Sequence, residues 1–582
     1  MDQSRSTVSI HLTNLAILGL LTILLLFLGL GAMGLTDRDE GRNAEAGREM
    51  LETGDWISPT FNYEPRFAKP VLVYWLMSLS YGWFGVDEFS ARLPSAVFGL
   101  GLILLQYGFV SRFCGAALGL FAALMLLLNI QIIGLSRMVL TDSVLIFLTT
   151  LSLYSFWLGF HGGSHERWWR WICYAGMGLA TLAKGPVGFL VPLVTIALYL
   201  TATRQWRRFW KEGAPLAGTV LFAAIALPWY AVMWSLHGSQ YTASAQANTV
   251  GRFLNPMEGH SFTVLFYVPV LLVGFFPWSG WLPFAWFEAY RSWRDARRAG
   301  QGVASASDDH FHELEWFAAA WVLGVFVFFT LSSTRLAHYI APLFPAASLL
   351  TASYWHRSLL DSNLKGRRAS IHMMMAIGYA LVVGFASLPS LYPSFAGKLT
   401  KEFPLAPAIA LGTGPYVAAI VLLIGMALVG YFGLSDSRRA GAFWAAGASV
   451  ALLVLSLIQL VMPGLNRYFI APPQVLSYTA GVNLTPTDRL IVYGSTRPSN
   501  VFYARRKVIF VSEGEEATIR QALAQPGQTM VVLPETYQSK LPPEAKTLVP
   551  ILKQYGYVLL ASQPMVSIPD RGAQTPVGIA PH

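Results

Sequence analysis

The sequence predicts a mainly α protein, a polytopic bundle of transmembrane helices followed by a small soluble α/β domain. Three observations carry that prediction. Of 582 residues, 54% are hydrophobic and only 12% charged, whereas soluble domains carry roughly a quarter charged residues. Apolar runs long enough to cross a bilayer recur as far as residue 462. Beyond about residue 465 these runs give way to short β-branched segments.

Thirteen apolar spans are expected, near 13–33, 93–110, 115–131, 139–160, 170–184, 186–202, 216–236, 262–284, 316–332, 336–353, 371–391, 412–433 and 441–462. Lys184-Gly185-Pro186 inside 170–202 reads as either a tight hairpin or a break in one long helix. The aromatic stretch 71–85 is too short for a span and reads as an interfacial segment. With the N-terminus cytoplasmic, the loops on that side hold seventeen Lys and Arg, and the opposite loops are poor in them. This asymmetry satisfies the positive-inside rule and puts loop 34–92 and the C-terminal segment on the outer face. The first apolar run is longer than the 7–15 residues of a signal peptide, so an uncleaved anchor is expected.

The net charge of +10 would suggest nucleic acid in a soluble protein. Here the basic residues sit in short loops and set topology, so no nucleic-acid partner is expected. Cys114 and Cys173 are too few for a disulfide framework or a zinc cluster. The expected domains are a membrane domain over 1–464, an outer-face α/β domain over 465–569 and a disordered tail over 570–582. In the α/β domain "RLIVYGSTRPSNVFYARRKVIFVS" and "TMVVLPETY" read as short β-branched strands, with "EGEEATIRQALAQPG" as an amphipathic helix between them, and "ILKQYGYVLLASQ" closes the pattern.

Loop 34–92 opens with "TDRDEGRNAEAGREM", which packs five carboxylates and three arginines into fifteen positions. Ionisable groups at the hydrocarbon edge are costly to place, so their gathering on one face marks a candidate site. The opening charges read as a wall of a cavity at the membrane surface. The same face supplies Lys69, then Arg137 and Asp142 in "LSRMVLTD". It also supplies Arg252, Glu258 and His260 in "GRFLNPMEGH", and Arg335, His338 and Tyr339 in "STRLAHY". Several cations with a few carboxylates suit an anionic ligand carried on a lipid.

The segment "DRDEGRNAEAGREMLETGDWISPTFNYEPRFAKPVLVYW" resembles the first external loop of the ArnT-type glycosyltransferases. These are the lipid A aminoarabinose transferases and their relatives in the protein O-mannosyltransferase-like GT-C superfamily. "RMVLTDSVLIF", "LATLAKGPVGFLVP", "FFPW" and "LSSTRLAHYIAPLFPA" match further segments in order, over roughly 30–350. The resemblance implies an inverting transferase of the bacterial inner membrane that takes a sugar from a polyprenyl-phosphate donor on the periplasmic side. Lipid A or a related envelope lipid would accept it; a relative glycosylating protein or another glycan is the alternative. A lipid-linked sugar flippase is a further alternative, though such transporters place charges at the midplane within repeats.

Carried over by position, Asp39 resembles the family's essential acidic residue and Asp142 its second. Lys69 resembles the lysine that meets the carrier phosphate, with Arg252 and Arg335 as further phosphate contacts. Glu40, Arg42, Asn43, Arg66, Arg137, His260, His338 and Tyr339 are the implied substrate contacts. Asn43 stands where the family has tyrosine, and Ala68 where it has a glutamate associated with metal or sugar contacts. The resemblance therefore implies no required cofactor and leaves a divalent metal ion open.

Overall fold

The computed structural model describes residues 2–255, 263–298, 307–361, 363–400 and 402–564. The chain starts with helix α1 (Asp2–Thr22), and loop 34–92 then folds into three pieces. These are α2 (Asp39–Thr53), the hairpin β1 (Thr60–Phe61) with β2 (Glu64–Pro65), and α3 (Leu72–Phe84). Next come α4 (Glu88–Leu127), α5 (Ile130–Ser136), α6 (Asp142–His161), α7 (Trp169–Lys184), α8 (Val187–Thr203), α9 (Trp206–Glu212) and α10 (Pro215–Gln246). Further long helices fill 307–330, 344–360, 367–396, 414–433 and 440–456.

Eight helices among the described residues are long and apolar enough to cross a membrane. The count of thirteen is not confirmed, because several expected spans are short, merged or irregular helices here. Two of them, 93–110 and 115–131, lie within α4 on either side of Gly115 (φ 82), where the helix breaks and the chain folds back, so that a Cβ on Gly119 would lie 2.9 Å from Ser111 Cα. The expected span 262–284 is interrupted, with short helices at Tyr267–Gly274 and Trp278–Gly280 on either side of Pro277. The span at 336–353 opens as a 3-10 turn, Ala337–Leu343, before its α-helix begins. Lys184-Gly185-Pro186 is a hairpin, since α7 and α8 pack against each other across Gly185 (φ 74).

The helical run Ala440–Asn483 continues past residue 464 and delivers the chain to a five-stranded sheet. That sheet comprises β3 (Arg489–Tyr493), β4 (Val508–Val511), β5 (Thr529–Pro534), β6 (Val549–Gln554) and β7 (Tyr557–Ala561), in the order β4-β3-β5-β7-β6. β3 runs parallel to β4 and β5, while β7 runs antiparallel to both of its neighbours, β5 and β6. All residues of β5 and β7 are buried, as expected of central strands covered on both faces. The expected tail over 570–582 lies outside the described residues.

Loop 34–92 is moored to the bundle by an ion pair between Glu40 and Arg92. Arg92 Nε donates to Glu40 Oε1 at 2.8 Å, and the two side chains are 2% and 1% exposed. Arg92 also donates to the carbonyls of Leu30 (3.0 Å), Met33 (2.6 Å) and Gly34 (2.9 Å). Removing one partner of a buried pair strands the other charge and costs about 3–5 kcal/mol. Arg92→Met is therefore expected to lower stability by about that amount, read as a lower unfolding temperature in detergent, while an exposed control such as Arg204→Met leaves it unchanged.

Candidate active site

Helix α2 places Asp39 and Glu40 in its first turn, where the positive end of the helix favours carboxylates. Arg38, just before it, sits at φ 71 and ψ −99, a conformation costing an L-residue about 1–3 kcal/mol. The segment is held there from outside. Ser499 N donates to Asp37 Oδ1 at 3.1 Å, Leu35 N donates to Tyr503 Oη at 2.9 Å, and Gln474 Nε2 donates to the Leu35 carbonyl at 2.7 Å. Gly41 is needed at the same junction, because a Cβ there would lie 2.7 Å from Ser499 N.

Lys69 precedes Pro70, and a residue before proline is restricted to extended backbone. Asp142 opens α6, again at a positive helix end. Lys184 closes α7, because Gly185 takes positive φ and Pro186 cannot continue the helix. α6 and α7 therefore bring Asp142 and Lys184 to the same end of the bundle. Lys184 Nζ donates to Asp142 Oδ1 at 2.6 Å, with side chains 9% and 3% exposed. The Tyr339 ring lies under the same ammonium, its centroid 5.0 Å from Nζ.

Burial and mutual charge act on these groups together. Burial opposes ionisation of Asp39, yet Lys69, Arg66, His338 and Arg252 together hold its carboxyl below the usual range. Burial and the nearby Lys184 push the Lys69 ammonium down to about 8, against the pull of Asp39 and Asp142. Burial drives His338 down to about 4, although Asp142 resists. At pH 7 His338 is thus neutral, and Lys69, Arg66 and Arg252 remain as the cations that keep Asp39 ionised. Arg252 adds a buried Nε that meets no hydrogen-bond acceptor among the described residues.

Other expected contacts belong to the framework. Both Glu40 oxygens are occupied, by Arg92, by the backbone and hydroxyl of Thr36, and by Val139 N, so Glu40 holds the loop and does not face a substrate. Arg137 donates to the carbonyls of Leu25 (3.0 Å) and Leu28 (2.9 Å) at the end of the first helix. Asn43 Nδ2 donates to the Val139 carbonyl at 2.9 Å, and Arg66 Nη1 donates to Tyr74 Oη at 2.6 Å and Asn43 Oδ1 at 3.4 Å. Arg335 donates to the Thr330 carbonyl from Nε (3.3 Å) and Nη2 (2.9 Å). Arg42 lies half-buried on α2, one turn from Asp39, and His260 and Glu258 lie outside the described residues.

Most of the charge-dense opening stretch is likewise internal. Arg48 forms an ion pair with Glu45 at 2.7 Å and another with Glu52 at 2.8 Å. Glu49 accepts from Thr60 Oγ1 at 2.5 Å and from Tyr63 N at 3.0 Å; burial and the adjacent Glu45 push its carboxyl up to about 8. Of the other carboxylates in this stretch, Asp37 meets Ser499, Glu40 reaches α4, Glu45 pairs within α2 and Glu49 holds the hairpin, which leaves Asp39 in the field of Lys69 and Arg66. Among the described residues no group of three or more His, Cys, Asp or Glu is placed to hold a metal ion.

Sequence reasoning missed Lys184 as a site residue. Its signal was a lysine at the end of an apolar helix, which is costly unless a counter-ion such as Asp142 meets it. Lys184→Met and Asp142→Asn should each destabilise the fold by about 3–5 kcal/mol. The double variant is expected to lose less than their sum by about 1–3 kcal/mol, measured by thermal unfolding in detergent; strict additivity would show that the pair is not coupled.

Comparison with known proteins gives a consistent picture. Residues 37–242 match the family of dolichyl-phosphate-mannose-protein mannosyltransferases. An uncharacterized protein of Aquifex aeolicus is 32% identical over 59% of this chain and 73% of its own length. The undecaprenyl phosphate-alpha-4-amino-4-deoxy-L-arabinose arabinosyl transferase of Edwardsiella ictaluri is 28% identical over 73% of this chain and 72% of its own. The crystal structure of ArnT from Cupriavidus metallidurans bound to undecaprenyl phosphate superposes with a TM-score of 0.74 at 22% identity, over 95% of this chain and 98% of that one. The fold, the ordered motifs and these relatives agree: the chain belongs to the ArnT-type glycosyltransferases of the GT-C superfamily.

Proposed function

We propose that this protein is an inverting glycosyltransferase that moves a sugar from a polyprenyl-phosphate donor to lipid A or a related envelope lipid. The observation that carries the reading is the charge cluster in which Asp39, Lys69, Asp142 and Lys184 act on one another at one end of the bundle. The basic residues gathered in the opposite loops favour the periplasmic face for this end.

In the proposed reaction the bond between the sugar's anomeric carbon and the carrier phosphate breaks, and the acceptor oxygen bonds to that carbon from the other face. Negative charge grows on the departing lipid phosphate. Lys69 and Arg252 are the fixed cations aimed at it, and one well-placed donor contributes about 3–4 kcal/mol to such a transition state. An arginine adds the planar fork that grips a phosphate through two parallel bonds. Asp39, held ionised, accepts the proton of a hydroxyl acceptor, or orients a phosphate acceptor that carries none to lose. Asp142 holds Lys184 in place through their 2.6 Å contact, and the nearby Lys184 helps to lower the Lys69 pKa.

The contacts of Arg66 favour a second reading on the sugar and acceptor. With Asn43 and Tyr74 holding Arg66, this arrangement differs from the tyrosine and glutamate of the aminoarabinose enzymes. A different sugar, or transfer to protein or another glycan, fits that arrangement as well.

Asp39→Asn should fold and insert normally yet lose transfer by about a hundred- to ten-thousand-fold. Mass spectrometry of envelope lipids from cells with and without the protein reads this out, and full activity in the variant would remove Asp39 from the mechanism. Lys69→Ala should bind polyprenyl phosphate more weakly while acceptor binding is unchanged. Because Lys69 is protonated below about pH 8 and neutral above it, carrier affinity is expected to fall as pH rises through 8. Lys69→Arg should push that limb to higher pH, and a pH-independent affinity in the parent would contradict the assignment.

A further inference from the structure

A cavity lies at the far end of α6 and α7 from the charge cluster. It measures about 260 Å³ and is lined by the last turns of α6 (Phe156, Phe160), the first turns of α7 (Arg170, Tyr174), and residues of α8, α9 and α10. Asp142 starts α6 and Phe160 nearly ends it, and the helix has 20 residues. At about 1.5 Å per residue the two sites stand roughly 21–27 Å apart along the helix, most of the thickness of a bilayer's hydrocarbon core. The cavity therefore serves the leaflet opposite the one that faces the cluster.

Its chemistry is divided. The walls are apolar, and Leu193 of α8 lines the cavity while half exposed on the outer surface of the bundle. The rim is basic and aromatic. Helix α9, "WRRFWKE", buries none of its residues and carries exposed Trp206 and Trp210, the signature of a helix lying in the interface plane. Arg204, Arg207, Arg208 and Lys211 are exposed along it and just before it. Arg208 Nη2 donates to the Phe160 carbonyl at 2.6 Å and Arg170 Nη1 to the Glu212 carbonyl at 2.9 Å, which fastens α9 over the cavity mouth. Arg170 Nε is buried and meets no acceptor among the described residues.

We propose that this cavity is a binding site for one anionic phospholipid, with an acyl chain between α7, α8 and α10 and the headgroup phosphate on Arg170 and the α9 cations. Charge complementarity selects this occupant: a zwitterionic lipid brings its own cation to an already basic rim, and a polypeptide segment would have to enter from hydrocarbon. The site is separate from the donor site and does not depend on the transfer reaction proposed above.

Native mass spectrometry of the full-length protein in detergent, offered equal amounts of phosphatidylglycerol and phosphatidylcholine with identical chains, tests this. At least a fivefold preference for phosphatidylglycerol is expected. Arg170→Gln with Arg208→Gln should bring the preference close to unity, and Leu193→Trp, at a half-exposed position that tolerates bulk, should remove one bound lipid. If the double variant fails to fold, Leu193→Trp alone decides. Equal retention of both lipids by the parent, an unchanged lipid count in Leu193→Trp, or a lipid-free dimer that the same substitution dissociates would each overturn the proposal.

Discussion

The bond on which this structure rests is the buried pair between Glu40 and Arg92. It joins α2, the start of the outer loop, to α4, the first long helix after it, and it does so with every donor of the guanidinium engaged. A lysine would offer a point charge with no such fork, and several of these carbonyls would lose their partner. Glu40 adds the backbone of Val139 to the same knot, three residues before Asp142. The residue beside Glu40 in the helix is Asp39. One interaction thus registers the two acidic residues of the cluster against each other, although the chain separates them by about a hundred positions.

The C-terminal sheet completes the arrangement from the other side. Active-site loops need a rigid support, and here part of the support is the short helix Ser499–Ala504, which packs on α2. Tyr503 links Leu35 to Glu88, donating to Glu88 Oε1 at 2.8 Å while accepting from the Leu35 backbone. Arg497 donates to the carbonyls of Phe469 (2.9 Å) and Glu402 (2.7 Å) while facing Asp37. The strained backbone at Arg38 is confined between this clamp and the Glu40 knot. The sheet therefore gives the chain a reason to carry a soluble appendage: it fixes the entry to α2.

What the sequence revealed follows from which physical signals are local. Helical class, the positive loops and the strands after residue 488 are local patterns of hydropathy and branching, and they were legible. Asp39, Lys69 and Asp142 were legible because a charge at the hydrocarbon edge is expensive wherever it lies. Direction was not legible. Glu40 and Arg137 carry the same charges as Asp39 and Lys69 but point into the protein, and only their long-range partners tell the difference. Lys184 was hidden for the opposite reason, since its Gly-Pro neighbours read as a loop signal and its partner lies 42 residues away. Hydropathy separated the two halves of α4 at Gly115 but did not show the interruption at Pro277, since an apolar run reads alike whether its backbone is continuous or broken.

The account comes down to where a lipid phosphate sits. Its most direct test is the position of the phosphorus atom in an experimental structure of the protein with polyprenyl phosphate bound. The phosphate is expected within hydrogen-bonding reach of Lys69 Nζ and beside Arg252, with Asp39 facing the space where an acceptor would enter. A phosphate bound away from these residues, with Asp39 and Lys69 unchanged around an empty cluster, would contradict it.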